Sequence, residues 1–471
     1  MPKQRSNEWK GKNGEMKMKK FMNKLQNINN NAFKIMKKFF FLIIFIGITS
    51  LCFSNNIAVS NVSLTDRNIT DHYIMVQFDI SWDNSWRAST DVSNWDAAWV
   101  FVKWRLKNQA TWNHATLNTT GHTAPLGSTI TTPTDGTGAF LYKNADGIGA
   151  NNWTAAKLRW NYGANGLLDG DLVEVCVDAI EMVYVPQGAF YIGSGGSETS
   201  PFYKYPTTTN AYLVGTEDAI TVGTATNNLY YASSTYGGDQ AGPIPAAFPK
   251  GYNAFYSMKY EITQEQYIKF LNKLTYTQQA TRTAVAPNSA AGTGALSNTY
   301  RNGIDIMTPG VSATTPAVYA CNLNGNTTYN ETDDGQNIAC NFLCWADLAA
   351  YLDWSGLRPF TEIEFEKTCR GGNLSPVANE YAWGTTGIAG SVYTISNSGA
   401  SNEVIATNYS VTVGNALYST TGTTINGPAR VGIFAGTSGN TGRVTAGATY
   451  YGIMEMSDNV CEHPVTVGNA T

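Results

Sequence analysis

Cys461-Glu462-His463 sets a thiol two positions from an imidazole, the two groups that a cysteine nucleophile and its general base require. Side chains adjacent in sequence usually point apart, and nucleophile–base pairs are recognised in space, so this spacing argues against that chemistry. Cys340 and Cys344 are the one close pair of thiols. No second cysteine or histidine pair stands at ligand spacing beside them, which removes a zinc site. The four histidines, His72, His114, His122 and His463, are widely spaced on no helical repeat and build no clustered metal centre. Glu362, Glu364 and Glu366 offer carboxyl groups for acid–base work. Alternate positions on a short helix do not share a face, so caps and structural ion pairs are the better reading.

Such residues act only where other elements hold them. From Ile57 to about Glu181, short β-rich runs alternate with turn residues, among them Tyr73–Ile80, Ala98–Trp104 and Leu172–Val177. In the first, Ile74, Val76, Phe78 and Ile80 alternate with Met75, Gln77 and Asp79, so one face is buried and the other mostly wet. A β-sandwich is the economical arrangement. Trp82, Trp86, Trp95, Trp99, Trp104 and Trp112 are read as core and edge packing, with a carbohydrate platform as the alternative.

From Met182 a strand, a turn and a strand open a second region, with no flexible linker before it, so the two domains are expected to touch. Three amphipathic helices follow. Thr263 with Gln266 makes a capping box ahead of Tyr267, Phe270, Leu271 and Leu274. Trp345, Leu348, Ala349 and Leu352 form the stripe of the second helix, ended by Gly356. Thr361 caps the third with Glu364, and Gly371-Gly372 stop it after one or two turns. Long Gly/Ser/Thr/Asn loops fill about 276–338 and 385–450. Loops of that length are functional or are held by something other than secondary structure.

Composition fits a folded, loop-rich chain: 43% hydrophobic, 12% aromatic and only 14% charged residues, with 45 glycines. Residues 1–38 hold 11 Lys/Arg against 2 Asp/Glu and precede the uncharged run Phe39–Phe53. Fifteen apolar residues are short for a membrane span and suit a signal peptide, with cleavage after Ser54 and Met36 as the true start. Lipidation at Cys52 is the rival, disfavoured by the bulky Leu51. The protein is therefore expected to be exported, whether periplasmic, at the cell surface or secreted, with no membrane span after cleavage. Removing the leader leaves 20 basic and 33 acidic residues (31 less 11, and 35 less 2), a net charge near −13 that excludes nucleic acid as a partner. The six cysteines that remain would meet an oxidising compartment where they could pair, in any of fifteen full connectivities.

Five landmarks occur in order over about 280 residues: Met182–Gly193, Phe255–Thr263, Trp345 through Gly372, Tyr381–Gly384 and Gly452–Glu462. The central one carries Tyr351, Trp354, Gly356, Arg358, Thr361, Glu362, Glu364 and Glu366. The series resembles the formylglycine-generating enzyme, or sulfatase-modifying factor, family. That resemblance implies a C-type-lectin-like α+β fold with little regular secondary structure. The chain is then a leader with a basic extension (1–54), an all-β sandwich (55–181) and a domain of this family (182–471), incomplete at its C-terminal end by alignment. The family's active cysteine pair lies downstream of the block Gly452–Glu462, where Cys461 and His463 replace two tryptophans, so the alignment gives no residue here a catalytic role. Cys369 aligns with a cysteine that oxygen-dependent members join to a downstream partner.

The expected function is an exported binding or assembly module without catalysis of its own, taking a protein or glycan ligand. The alternatives are a formylglycine-generating oxidase, converting a sulfatase cysteine with oxygen and copper(I) in a longer chain, and a carbohydrate-binding surface protein. The resemblance also implies calcium. Family members ligate it through a side-chain oxygen at the position of Glu455, carbonyls at those of Asp458 and Val460, and the carboxylate at that of Glu462, a hard oxygen set. A second calcium site would begin at Asn408 and the carbonyl of Tyr409.

Overall fold

Alternating apolar and polar residues become paired strands through the first part of the chain. In a computed structural model, residues 56–198, 201–231, 242–372, 375–390, 392–418, 425–437, 439–440 and 442–467 are described. The signal-peptide and Cys52 readings lie outside these residues.

Eight strands come first: β1 (Ala58–Asn68), β2 (Tyr73–Arg87), β3 (Asp96–Leu106), β4 (Asn113–His114), β5 (Ser128–Thr131), β6 (Ala139–Lys143), β7 (Gly147–Trp160) and β8 (Val173–Val185). They form two antiparallel sheets. One has the order β1-β2-β7; the other runs β8-β3-β6-β5 and continues on its far edge into β13 (Phe255–Met258). Val76, Phe78, Ile80 and Trp82 of β2 face Ala98, Val100, Val102 and Trp104 of β3 in one core between the sheets. The wet side predicted for Tyr73–Ile80 is Gln77 and Asp79; Met75 is buried instead.

Strand β3 is buried without interruption from Asp96 to Trp104 because its second face is covered too. Trp99 and Phe101, with Ile180 and Met182 of β8, pack on Tyr267, Phe270, Leu271 and Tyr351 of two helices. Strand β8 thus belongs to both regions. It pairs with β3 from Val173 to Val183, and Met182–Val185 pair on the other side with β13. The boundary expected near Ile180–Met182 falls inside this strand.

Four helices are described: α1 (Gln264–Leu271), α2 (Tyr276–Gln279), α3 (Trp345–Ser355) and α4 (Glu362–Arg370). Helices α1 and α4 carry the capping boxes of Thr263 and Thr361 that the sequence announces, and Gly356 ends α3 in the left-handed conformation that glycine adopts without cost. The buried face of α3 differs from the expected stripe. Trp345 is 45% exposed, and Asp347, Tyr351 and Ser355 point inward. Asp347 can be buried because it accepts from the Cys344 amide at 3.0 Å and pairs with Arg282 at 3.1 Å. The stretch 276–338, expected as loop, holds α2 and a hairpin of β14 (Ile304–Thr308) with β15 (Val318–Cys321).

The remaining strands are three- or four-residue pieces in antiparallel pairs: β9 (Phe190–Ile192) with β11 (Tyr212–Val214), β10 (Phe202–Lys204) with β12 (Leu229–Tyr231), and β16 (Thr394–Ser396) with β17 (Val404–Thr407). The protein is mostly β with few helices. Among the described residues no helix is long and apolar enough to cross a membrane.

Four tryptophans of the first region, Trp82, Trp95, Trp99 and Trp112, take part in packing. Trp82 and Trp99 are almost completely buried, Trp95 stacks on Tyr184 at 4.0 Å, and Trp112 lies beneath Arg105 and Lys273.

Candidate functional site

Glu455, Asp458 and Glu462 are brought together by a backbone that bends twice, through left-handed conformations at Glu455 (φ 59) and Asn459 (φ 66). Glu455 is buried; one carboxylate oxygen accepts from the Gly432 amide and the other has no partner. Asp458 accepts from the Leu417 amide at 2.6 Å. A fourth carboxylate joins them. Glu261, just ahead of α1, accepts from the Val460 amide at 2.8 Å and from the Asn459 side chain at 2.5 Å. Sequence reasoning quoted Glu261 only within a landmark strand; its role depends on a contact 199 residues away.

Burial raises all four carboxyl groups, and repulsion from neighbouring carboxylates adds to it at Glu261, Glu455 and Glu462. Asp458 is pushed up to about 7 and Glu462 to about 8, while Glu261 and Glu455 are held well above the usual carboxylate range. The buried Arg430 offsets part of the charge at Glu455. Among the described residues no salt bridge reaches any of the four. Four carboxylates against the partial compensation of one arginine, one of them with an unpartnered oxygen, fit a hard divalent cation. Asn408 and Tyr409 sit elsewhere. The exposed Asn408 donates to the Val392 carbonyl, and Tyr409 packs half-buried against the cluster of Tyr393, Ile405 and Phe434.

Of the described thiols, Cys321, Cys340 and Cys369 are buried and Cys344 and Cys461 are exposed. All six described cysteines are free. Burial pushes Cys176 up to about 11 and lifts Cys321, Cys340 and Cys369 further. Such thiols are inert at neutral pH. Cys321 and Cys340 interact, but inside the apolar core of α1 and α3, where no substrate reaches. Cys461 and His463 are both exposed, and no hydrogen bond among those found joins them. Glu362, Glu364 and Glu366 hold structure: Glu362 accepts from the Val467 amide, Glu364 caps α4 and binds Arg358 twice, and Glu366 binds Arg370 and the Gly193 amide.

Where the two regions meet, a cavity of about 380 Å³ is lined by Asn84 and Trp86 from one side and Lys259, Tyr260, Asn440, Arg443 and Tyr450 from the other. Lys259 is fully committed: it pairs with Asp96 at 3.3 Å and Glu181 at 3.1 Å, both buried. Asn440 is not. Although 5% exposed, neither its amide nitrogen nor its amide oxygen has a partner, and the Nε of Arg443 has none either.

Residues 170–463 match the family model described as Sulfatase-modifying factor enzyme 1-like domain. The chain belongs to the sulfatase-modifying factor family. The match starts three residues ahead of β8, so the shared strand lies within the family's domain, whereas the sequence landmarks begin at Met182. Both the carboxylate cluster and the C-terminal wall of the cavity also fall inside it. No curated protein and no solved structure matches the chain.

Proposed function

We propose that this member of the sulfatase-modifying factor family is an exported binding or assembly module, with its ligand seated in the cavity between the two regions. The observation that carries the reading is Asn440 and Arg443 facing that cavity with buried polar atoms unpartnered. Such atoms are rare in native proteins, and a ligand bearing both acceptor and donor groups would satisfy them. Trp86 and Tyr450 supply apolar walls. A glycan hydroxyl or a polar peptide side chain has the required chemistry. The finer fold assignment accompanies the proposal: a β-sandwich followed by a C-type-lectin-like domain, an architecture that presents ligand sites on irregular loops.

Calcium belongs to the same proposal, held by Glu455, Asp458, Val460 and Glu462 with Glu261 beside them, and a second ion would use Asn408 and Tyr409. When bound, the ion supplies charge compensation and pins the turn that carries these residues. Titrating chelated protein with calcium should raise the melting temperature by binding the folded state alone, and Glu462→Gln should remove most of the rise.

Family membership favours one second reading, the formylglycine-generating oxidase with copper(I). The described thiols do not fit that ion, since no accessible pair exists among them. Screening the protein against glycan and peptide arrays separates the readings. Binding that disappears in Asn440→Leu supports the module. Conversion of a Cys-x-Pro-x-Arg peptide to formylglycine by this chain would overturn it.

A further inference from the structure

The segment that leaves β15 reads Cys321-Asn-Leu-Asn-Gly-Asn-Thr-Thr-Tyr-Asn-Glu-Thr-Asp-Asp-Gly335. Its chain turns back at Gly325 (φ 70) and again at Asn330 (φ 60), bringing its acidic end over its asparagine-rich start. One carboxylate oxygen from each of Glu331, Asp333 and Asp334 lies within 4.8 Å of the other two. Among the described residues no Lys, Arg or His forms a salt bridge with any of them. The groups that face them are amides. Asn326 donates to Glu331 at 2.5 Å, and Asn324 makes two long contacts, 3.3 Å to Glu331 and 3.4 Å to Asp333.

Acidic residues gathered on a loop are common without an ion, and the cluster alone decides nothing. The second observation is Asp334. It is completely buried, one oxygen accepts from the Glu331 amide at 2.7 Å, and the other has no partner. Asn322, 5% exposed, likewise keeps its amide oxygen unpartnered while its nitrogen donates to Asp305. Burial raises the Asp334 carboxyl; the backbone amides of Glu331 and Asn324 pull it back, and the charges of Glu331 and Asp333 raise it again. A protein that buries an acidic oxygen beside two more carboxylates, with no cation of its own, has left a place for one.

The spacing agrees. Asn322, Asn324, Asn326, Thr328, Asn330 and Asp333 stand at the first, third, fifth, seventh, ninth and twelfth positions of a loop, the ligand positions of helix–loop–helix calcium sites. The likeness is one of spacing only: the glycine is two places early, a strand rather than a helix precedes the loop, and Asn330 spends its side-chain oxygen on the Cys321 amide. The donors are all oxygen from carboxylates and amides in an irregular set, which suits calcium better than the strict octahedron of magnesium or a softer transition metal.

We propose that the loop Asn322–Asp334 binds one calcium ion through the carboxylates of Glu331, Asp333 and Asp334, with the amide oxygens of Asn324 and Asn326 turned toward it. A half-turn of each amide exchanges its nitrogen for its oxygen, at the cost of the bonds that Asn324 Oδ1 now accepts from the Asn326 amide at 3.0 Å and Asn326 Oδ1 from the Thr328 amide at 2.6 Å, which the ion must outweigh. Asp333 is exposed and Glu331 half-exposed, leaving the ion a way in, while Asp334 forms the floor. The site is separate from Glu455–Glu462 and from the cavity, and it pins the chain between β15 and the residues that pair with Thr263 at the start of α1.

Isothermal titration of the chelated, full-length Glu462→Gln protein with calcium isolates this loop. Besides any ion held at Asn408 and Tyr409, we expect one equivalent that the added substitutions Glu331→Gln and Asp333→Asn abolish or weaken at least about tenfold. Equal stoichiometry and affinity with and without those two substitutions would overturn the site. A measurement on the unaltered protein guards against misfolding: calcium should slow amide exchange across 322–335 about tenfold, and unchanged exchange there would equally refute the proposal. Loss of ligand binding in Asn440→Leu leaves both readouts untouched, so the two proposals fail separately.

Discussion

In residues 58–185 the backbone bonds mainly to itself, along ladders such as the register that runs unbroken from Asp96↔Val183 to Leu106↔Val173. From residue 186 onward, side chains take over much of that task. Lys367, fully buried, donates to the carbonyls of Pro186, Gly251 and Tyr252, and Lys250 to those of Pro245 and Phe248. Gln279 bridges Leu271 and Ala317, and Asn415 closes the turn at Ser410 and reaches Thr445. Every buried backbone group needs a partner. A sheet supplies it by repetition, whereas an irregular domain spends a specific polar residue on each. The first solution tolerates polar substitutions at its rims and is sensitive to lost apolar volume. The second reverses those sensitivities.

The sharpest contrast sets Glu403 against Leu141. Glu403 is buried and binds Arg301 twice, the Arg430 amide and the Gly399 amide. Glu403→Ala should cost about 3–5 kcal/mol in denaturant unfolding, because the Arg301 guanidinium and the amides of Gly399 and Arg430 lose their buried acceptor. Leu141, in the core between the sheets, should cost about 3 kcal/mol on truncation to Ala, by lost burial and an unfilled cavity. If Glu403→Gln proved as mild as a surface change, side-chain anchoring would not explain the second region.

Two lysines sharpen the comparison at intermediate size. Burial depresses both Lys103 and Lys367 to about 8. A depressed lysine is protonated in the unfolded chain and neutral in the folded one between about pH 8 and 10.5. Stability should therefore rise with pH across that window, and each Lys→Met variant should lose part of the rise. At pH 7 the two should part company. Lys103, on β3, bonds the His114 ring at 2.8 Å, and Lys103→Met should be nearly neutral. Lys367→Met abandons three carbonyls and should cost about 1–3 kcal/mol. Equal costs would erase the distinction between the regions. A small loss is expected at a cap: Thr361→Ala removes the oxygen that receives the Glu364 amide at 3.1 Å, worth about 1 kcal/mol by thermal melting.

Much of this was legible in the sequence where the causes are local. Thr263 with Gln266, Thr361 with Glu364, and Gly356 mark helix ends because caps act within four residues. The runs Tyr73–Ile80 and Ala98–Trp104 are strands because alternation and β-branched residues act within one element. The face of α3 was misread because burial there follows the partners of Asp347 and the carbonyl of Ser355, which accepts from Trp99 at 2.7 Å across 256 residues. Of the carboxylate cluster, Glu455, Asp458 and Glu462 came from the family resemblance, and Glu261 was silent because nothing near it in sequence explains its burial. The Asn322–Asp334 loop falls within the long stretch 276–338, which the sequence marks only as functional or held by something other than secondary structure. Its composition resembles that of the other loops, and its order becomes informative only once Asp334 is seen to be buried.

The strand shared by the two regions sets a timetable for synthesis. When β8 leaves the ribosome, β3 can pair with it at once, but the side of that sheet bearing Trp99, Phe101, Ile180 and Met182 has nothing to cover it. Its cover arrives with Tyr267, Phe270 and Leu271 and is finished only at Tyr351 and Ser355. At roughly 5–20 residues per second, translation leaves a greasy half-built sheet waiting on the order of ten to thirty seconds. A nascent chain in that condition is a client for holding chaperones, and a stall between Val185 and Trp345 would release a species prone to stick to its own copies.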